Sequence, residues 1–215
     1  WSREELETVA DICKESGVMV ISDEIHADMT FLPHKHLPFA MVNDWTHENT
    51  VTFMAPSKVF NMPGIIASHA IVFNNDLRER FYSYLEQNDL IMGNAFAYPA
   101  VEAAYTQGED WLKQMLDYVY ENIRLVDTSL KQKMPKIKAI LPEASFLIFL
   151  DCRELGYETQ EQLVDFFVNK ARLGLNDGAM FGKEGTGFMR LNVATPRSIV
   201  AEAMKRLEDA YLGEG

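Results

Sequence analysis

A chain of 215 residues that is 47% hydrophobic, with 13 Phe, 8 Tyr and 3 Trp, carries enough apolar surface for one or two globular domains with buried cores. Its formal net charge of −12 leaves no basic excess to meet phosphates, which argues against nucleic acid or an anionic membrane as the partner. No apolar run approaches the roughly 20 residues that span a bilayer, no basic-then-apolar signal opens the chain, and Cys13 and Cys152 fit neither a disulfide framework nor a zinc spacing, so a reduced, cytoplasmic setting is expected.

The chain opens on Ser2-Arg3-Glu4-Glu5, a capping box in which Ser2 and Glu5 satisfy each other's backbone donors. Because Trp1 is not a start methionine and a helix cap follows it at once, the chain reads as part of something longer. Leu6, Val9, Ala10 and Cys13 recur at helical spacing, and Gly17 closes that helix. Val18 to Ile21 is an apolar run of strand length, expected to be buried on both faces as in a parallel sheet, and it ends in Ser22-Asp23-Glu24-Ile25-His26. Residues 27 to 48 hold Pro33, Pro38, His34, His36 and His47 with few periodic signals, and read as a long functional or mobile loop. Thr50 to Ala55 is a second strand, leading into Pro56-Ser57-Lys58, and Ala67 to Phe73 a third. Asn75-Asp76 can cap a helix through Gln87, and Pro99 suits the first turn of another.

After Gly108 the longest periodic segment begins, with Trp111, Met115, Tyr118, Val119, Asn122, Val126 and Leu130 on one stripe ending before Pro135. From about residue 136 the pattern changes to short strands at Ile137–Leu141, Phe146–Leu150, Leu173–Leu175 and Phe188–Val193. Between them Thr159 and Gln162 form a second capping box, and Thr195-Pro196 starts a last helix with Ile199, Ala203, Leu207 and Tyr211. Gly182-Lys183-Glu184-Gly185-Thr186-Gly187 does not fit G-x-G-x-x-G and does not lead from strand to helix, so a flexible hairpin or loop is expected there. A layered α/β unit and an α+β unit with an antiparallel sheet follow from this order.

The runs Ser22-Asp23-Glu24-Ile25-His26, Pro56-Ser57-Lys58-Val59-Phe60-Asn61 and Gly187-Phe188-Met189-Arg190-Leu191-Asn192-Val193-Ala194-Thr195-Pro196-Arg197 resemble the pyridoxal 5'-phosphate (PLP) enzymes of the aminotransferase fold, fold type I. Within that group they are most similar to the cystathionine β-lyase or C-S lyase branch. The resemblance covers nearly the whole chain and implies that the N-terminal half of such an enzyme lies outside it. It implies an α/β fold: residues 1–108 as part of the PLP-binding large domain, a mostly parallel sheet in three α/β/α layers, 109–135 as a connecting helix, and 136–215 as a small α+β C-terminal domain. It also implies an amino-acid substrate and a homodimer in the full-length enzyme.

A lysine is ordinarily a solvated surface charge, but Lys58 follows a strand and precedes Phe60, Met62, Ile65 and Ile66, so apolar surroundings and a desolvated amine are expected. The resemblance makes it the Schiff-base lysine. Asp23 alone reads as a turn residue. At a matching strand end it gains, by resemblance, the role of the carboxylate against the pyridine nitrogen, with His26 serving the ring hydroxyl oxygen and Ser57 the phosphate. His26 reads equally well as a packed histidine bonded to backbone, and a metal set of His26, Asp28, His34 and His36 lacks regular spacing.

Two positions depart from the family pattern: Ala55 stands where many members have a phosphate-binding Ser, and Ile66 where aspartate transaminases have a phosphate-binding Arg. The second departure favours the lyase branch. Arg190 sits inside an apolar strand, where a guanidinium needs an anion, either an internal carboxylate or, by resemblance, the substrate α-carboxylate. Arg197, at a helix start, reads as structural. The implied function is α,β-elimination of cystathionine or a cysteine S-conjugate. A class I/II aminotransferase is the alternative, and a non-catalytic regulatory domain of the same fold the second.

Overall fold

The N-terminal capping box forms: Ser2 Oγ accepts from the Glu5 amide at 3.2 Å and Glu5 Oε2 accepts from the Ser2 amide at 2.7 Å, opening α1 (Arg3–Glu15). The computed structural model describes residues 1–213, so residues 214 and 215 of the expected small domain lie outside the described residues. The chain divides into two compact units, Trp1–Lys113 and Gln114–Gly215.

In the first unit Gly17, at φ +65°, turns the chain from α1 into β1 (Val20–Asp23), a left-handed conformation that only glycine adopts freely. The segment expected to be a long loop is ordered by two 3-10 turns, at Ala27–Met29 and Phe39–Met41, and by α2 (Asp44–Asn49), which Asn43 caps. Phe39 and Val42 of this segment bury against Ala10, with Leu6, Val20, Leu37 and Trp45 around them. β2 (Thr50–Met54) pairs parallel with β1, and antiparallel with β3 (His69–Ile71), in the order β1-β2-β3.

Burial on both faces, expected of the first strand, belongs instead to β2, where Thr50, Val51 and Thr52 are all buried. β1 is an edge strand among the described residues, and Ile21 is 69% exposed. Apolar content reports what a strand can bury, whereas its position in the sheet decides what it does bury. Ile21, Val51 and Phe53, with Leu77 and Phe81 of α4 (Asn75–Gln87), line an open apolar groove of about 350 Å³.

Between β2 and β3 lie α3 (Pro56–Val59) and a 3-10 turn at Pro63–Ile65. α5 (Ala97–Gln107) has Pro99 in its first turn, as predicted, and α6 (Glu109–Lys133) ends just before Pro135.

The second unit holds β4 (Lys138–Ile140), β5 (Leu147–Asp151), α7 (Gln160–Asp165), β6 (Asn176–Asp177), β7 (Phe188–Asn192) and α8 (Arg197–Gly213). Its sheet is antiparallel throughout, in the order β4-β5-β7-β6. The strand expected at Leu173–Leu175 is displaced to Asn176–Asp177, because the Leu173 amide is still bound to the Phe167 carbonyl at 2.8 Å and Arg172 adopts φ +55°. The last helix buries Val200, Met204 and Leu207 rather than Ile199, which is exposed. The glycine-rich loop is tightly packed and not an open hairpin, since a β-carbon on Gly178 or Gly185 would collide with the other's backbone.

Phe167 is fully buried in the core of this unit, with Ile148, Leu150, Met189 and Leu207 also buried there. Phe167→Ala is expected to lower stability by about 3–5 kcal/mol. A urea-unfolding midpoint equal to the wild type would show that this ring does not anchor the core.

Candidate active site

β1 and β2 run side by side and end together, with Val20 opposite Thr50 and Asp23 opposite Phe53. Their backbones are about 4.8 Å apart, as in any sheet. Beyond Met54 the chain stays extended at Ala55 (φ −157°, ψ 145°), and Pro56, whose ring presets a helical φ, opens the single turn that carries Ser57 and Lys58. His26 begins the 3-10 turn that follows β1. Asp23, His26, Ser57 and Lys58 are thereby gathered at one end of the sheet, the carboxyl end of two parallel strands.

The Ile25 amide donates to Asp23 Oδ1 at 3.2 Å, closing a tight turn. Lys58 is exposed and, among the described residues, its Nζ has no hydrogen-bond or ion-pair partner. The apolar enclosure expected around it is not present. On the short turn it is Val59 that is completely buried, while Phe60 points into a ring cluster with Tyr105 and Trp111 (centroids 5.6 and 5.9 Å away) and Ile66 is 82% exposed. Asn61 and Ile66 both hold left-handed backbone, at φ +50° and +51°. For a β-branched residue such as Ile66 that is a strained conformation.

A residue that sequence reasoning passed over lies at the centre of this end. Glu24 is the one charged side chain in the buried class among the described residues, at 7% exposure. Its Oε1 accepts from Ser22 Oγ and from the Phe39 amide, each at 2.9 Å, and its Oε2 lies 2.6 Å from His36 Nε2. The Asp-Glu pair after a strand is a visible signal in the sequence, but which of the loop histidines would return to it is not.

Arg190 lies in the second unit, on β7 opposite Phe149. Its guanidinium stacks over the Phe181 ring at 4.3 Å and its Nη2 donates to Asn176 Oδ1 at 3.1 Å. Its Nε is buried without a partner, and among the described residues no carboxylate pairs with it. Arg197 is engaged internally: its Nε donates to Asn122 Oδ1 at 3.1 Å and its guanidinium stacks on Tyr118. Asn122 is itself buried and donates to the carbonyls of Val193 and Thr195. Burial pushes the Cys152 thiol up to about 12, which keeps it protonated.

Residues 1–207 match the family model for aminotransferase class I and II. The chain belongs to this family. Among class I and II relatives it is 39% identical to cystathionine beta-lyase PatB of Bacillus subtilis (strain 168), over 98% of this chain and 54% of that protein. Cystalysin from Treponema denticola, whose crystal structure contains a pyridoxal 5'-phosphate cofactor, superposes with a TM-score of 0.94 at 33% identity, covering 99% of this chain and 54% of its own. The PLP-bound C-S lyase from Staphylococcus hominis gives a TM-score of 0.85 at 30% identity, covering 99% of this chain and 55% of its own. The chain spans about half the length of the curated relatives it matches.

Burial pushes the Glu24 carboxyl up, but donation from His36, the Phe39 amide and Ser22 outweighs it and holds the group below its ordinary 4.5. A carboxyl so depressed stabilises the fold above its unfolded value, and that contribution disappears as the pH falls through the folded value. The gap in melting temperature between wild type and Glu24→Gln should therefore be widest above about pH 5 and close on acidification below 4.5. A gap that is constant across this range would contradict the assignment.

Proposed function

We propose that the full-length protein is a PLP-dependent carbon–sulfur lyase that cleaves cystathionine or a cysteine S-conjugate to pyruvate, ammonia and a thiol, and works as a cytoplasmic homodimer. The observation that carries the reading is that a carboxylate, Asp23, at the end of β1 and an amine, Lys58, on the turn just beyond the adjacent parallel strand β2 lie at the same end of the sheet, with no partner of the amine among the described residues. An aldehyde cofactor with a protonatable ring nitrogen needs that donor set, so the residues present fit PLP. Similarity to a cystathionine β-lyase and to a PLP-bound C-S lyase supports the lyase over the transaminase.

Bound PLP would supply an electron-accepting ring to the amino acid attached to it. Asp23 would hold a proton on the ring nitrogen, His26 would donate to the ring hydroxyl oxygen, and Ser57 would donate to the phosphate. Lys58 would hold the cofactor through its Nζ, and that Nζ, once free, would accept the proton from the substrate Cα as general base. Arg190 would hold the substrate carboxylate, and its orphaned Nε is a donor that such an anion would satisfy. Loss of the Cα proton and of the thiolate from Cβ leaves aminoacrylate, which water converts to pyruvate and ammonia.

Lys58→Ala in the full-length protein should abolish the visible absorbance of bound PLP and lower turnover by about 10²–10⁴-fold or more. Arg190→Ala should reduce kcat/KM by about 10–100-fold, the worth of a charge-assisted hydrogen bond, with the cofactor absorbance kept. Incubation with cystathionine should release pyruvate and a free thiol. Keto-acid exchange without thiol release would assign a transaminase, and a full-length protein that binds no PLP would favour a non-catalytic domain.

A further inference from the structure

Burying a carboxylate is expensive unless its oxygens are well supplied with donors, so a buried Glu beside a site residue calls for a reason. Glu24 is held at three levels. Its amide donates to the Phe53 carbonyl at 2.8 Å, extending the β1–β2 ladder one residue past Asp23, and its carbonyl accepts from the Ala27 amide at 2.9 Å. Its side chain takes the donors from Ser22, Phe39 and His36. Of these, the His36 bond alone joins two side chains across a long span of chain, closing the segment from Ile25 to Lys35 back onto the strand tip. Asp23 lies between the ladder and this knot, and its Oδ1 is already used by the turn.

We propose that Glu24 and His36 form a positioning pair that fixes the direction in which Asp23 presents its carboxylate to the cofactor ring nitrogen. This rests on the role of Asp23 given under the proposed function. Neither residue needs to touch the cofactor; both act through the turn that Asp23 begins.

The test uses the full-length protein, freed of cofactor and titrated with PLP, with the dissociation constant read from the absorbance of the bound form. A parallel melting curve is taken without cofactor. His36→Ala should weaken PLP binding by about tenfold, the worth of one hydrogen bond to a buried charge. His36→Gln, whose side-chain amide can donate in place of Nε2, should stay within about threefold of the wild type. Phe39→Ala serves as the control. It removes a buried ring from the same segment while keeping the Phe39 amide that binds Glu24, so it should lower the melting temperature yet leave the affinity within about threefold.

The proposal is overturned if His36→Ala binds PLP as tightly as the wild type, or if Phe39→Ala weakens binding as much as His36→Ala does. A wild-type protein that binds no PLP removes the cofactor reading, and this inference with it. Tight wild-type binding with an unaffected His36→Ala removes the positioning role alone.

Discussion

The parallel pairing of β1 with β2 is the constraint on which the candidate site depends. Two strands that run in the same direction bring their carboxyl ends to the same edge of the sheet, and here that edge carries a carboxylate at Asp23, the last residue of β1, and an amine at Lys58, on the short turn that follows β2. Had the pairing been antiparallel, the two groups would stand at opposite ends of the sheet. The polar end is costly to build, and the structure offsets that cost locally. The buried Glu24 carboxylate collects three donors, and Asn43 caps α2, which leads the chain back into β2.

The second unit handles polar groups in two ways. Asn122 is buried and fully engaged, tying α6 to the carbonyls of Val193 and Thr195 and receiving Arg197 Nε, so this cluster is a structural knot. Arg190, two strand positions before Asn192, is only partly engaged, with a buried Nε that no described residue satisfies. Native interiors rarely leave a donor of a charged group in that condition unless a ligand or solvent meets it. Arg197 spends its guanidinium within the unit, on Asn122 and Tyr118, whereas Arg190 keeps one buried donor unmet by any described residue.

Several misreadings share one physical origin. Apolar runs announce strands, but the pattern is silent about neighbours, and so it predicts cover on both faces of β1 while the doubly buried strand is β2. The same blindness applies to Lys58. Its apolar surroundings in sequence suggested enclosure, yet on a single helical turn adjacent residues point in different directions, and burial falls on Val59. The segment 27–48 lacks periodicity because its order comes from contacts with α1 and with Glu24, which are distant in sequence.

Local chemistry was legible in the sequence: both Ser/Thr capping boxes, the glycine that ends α1, the extent of α6, and the points at which apolar runs give way to Asp23 and to Ser57-Lys58. These are decided within a few residues, by backbone donors that need a nearby acceptor and by side-chain periodicity. The tertiary structure alone decided that β1 and β2 are parallel neighbours, that His36 returns to Glu24, and that Arg190 keeps an unsatisfied nitrogen while Arg197 does not. Each of these is a long-range pairing. Its free energy depends on which surfaces meet, and no local pattern encodes that.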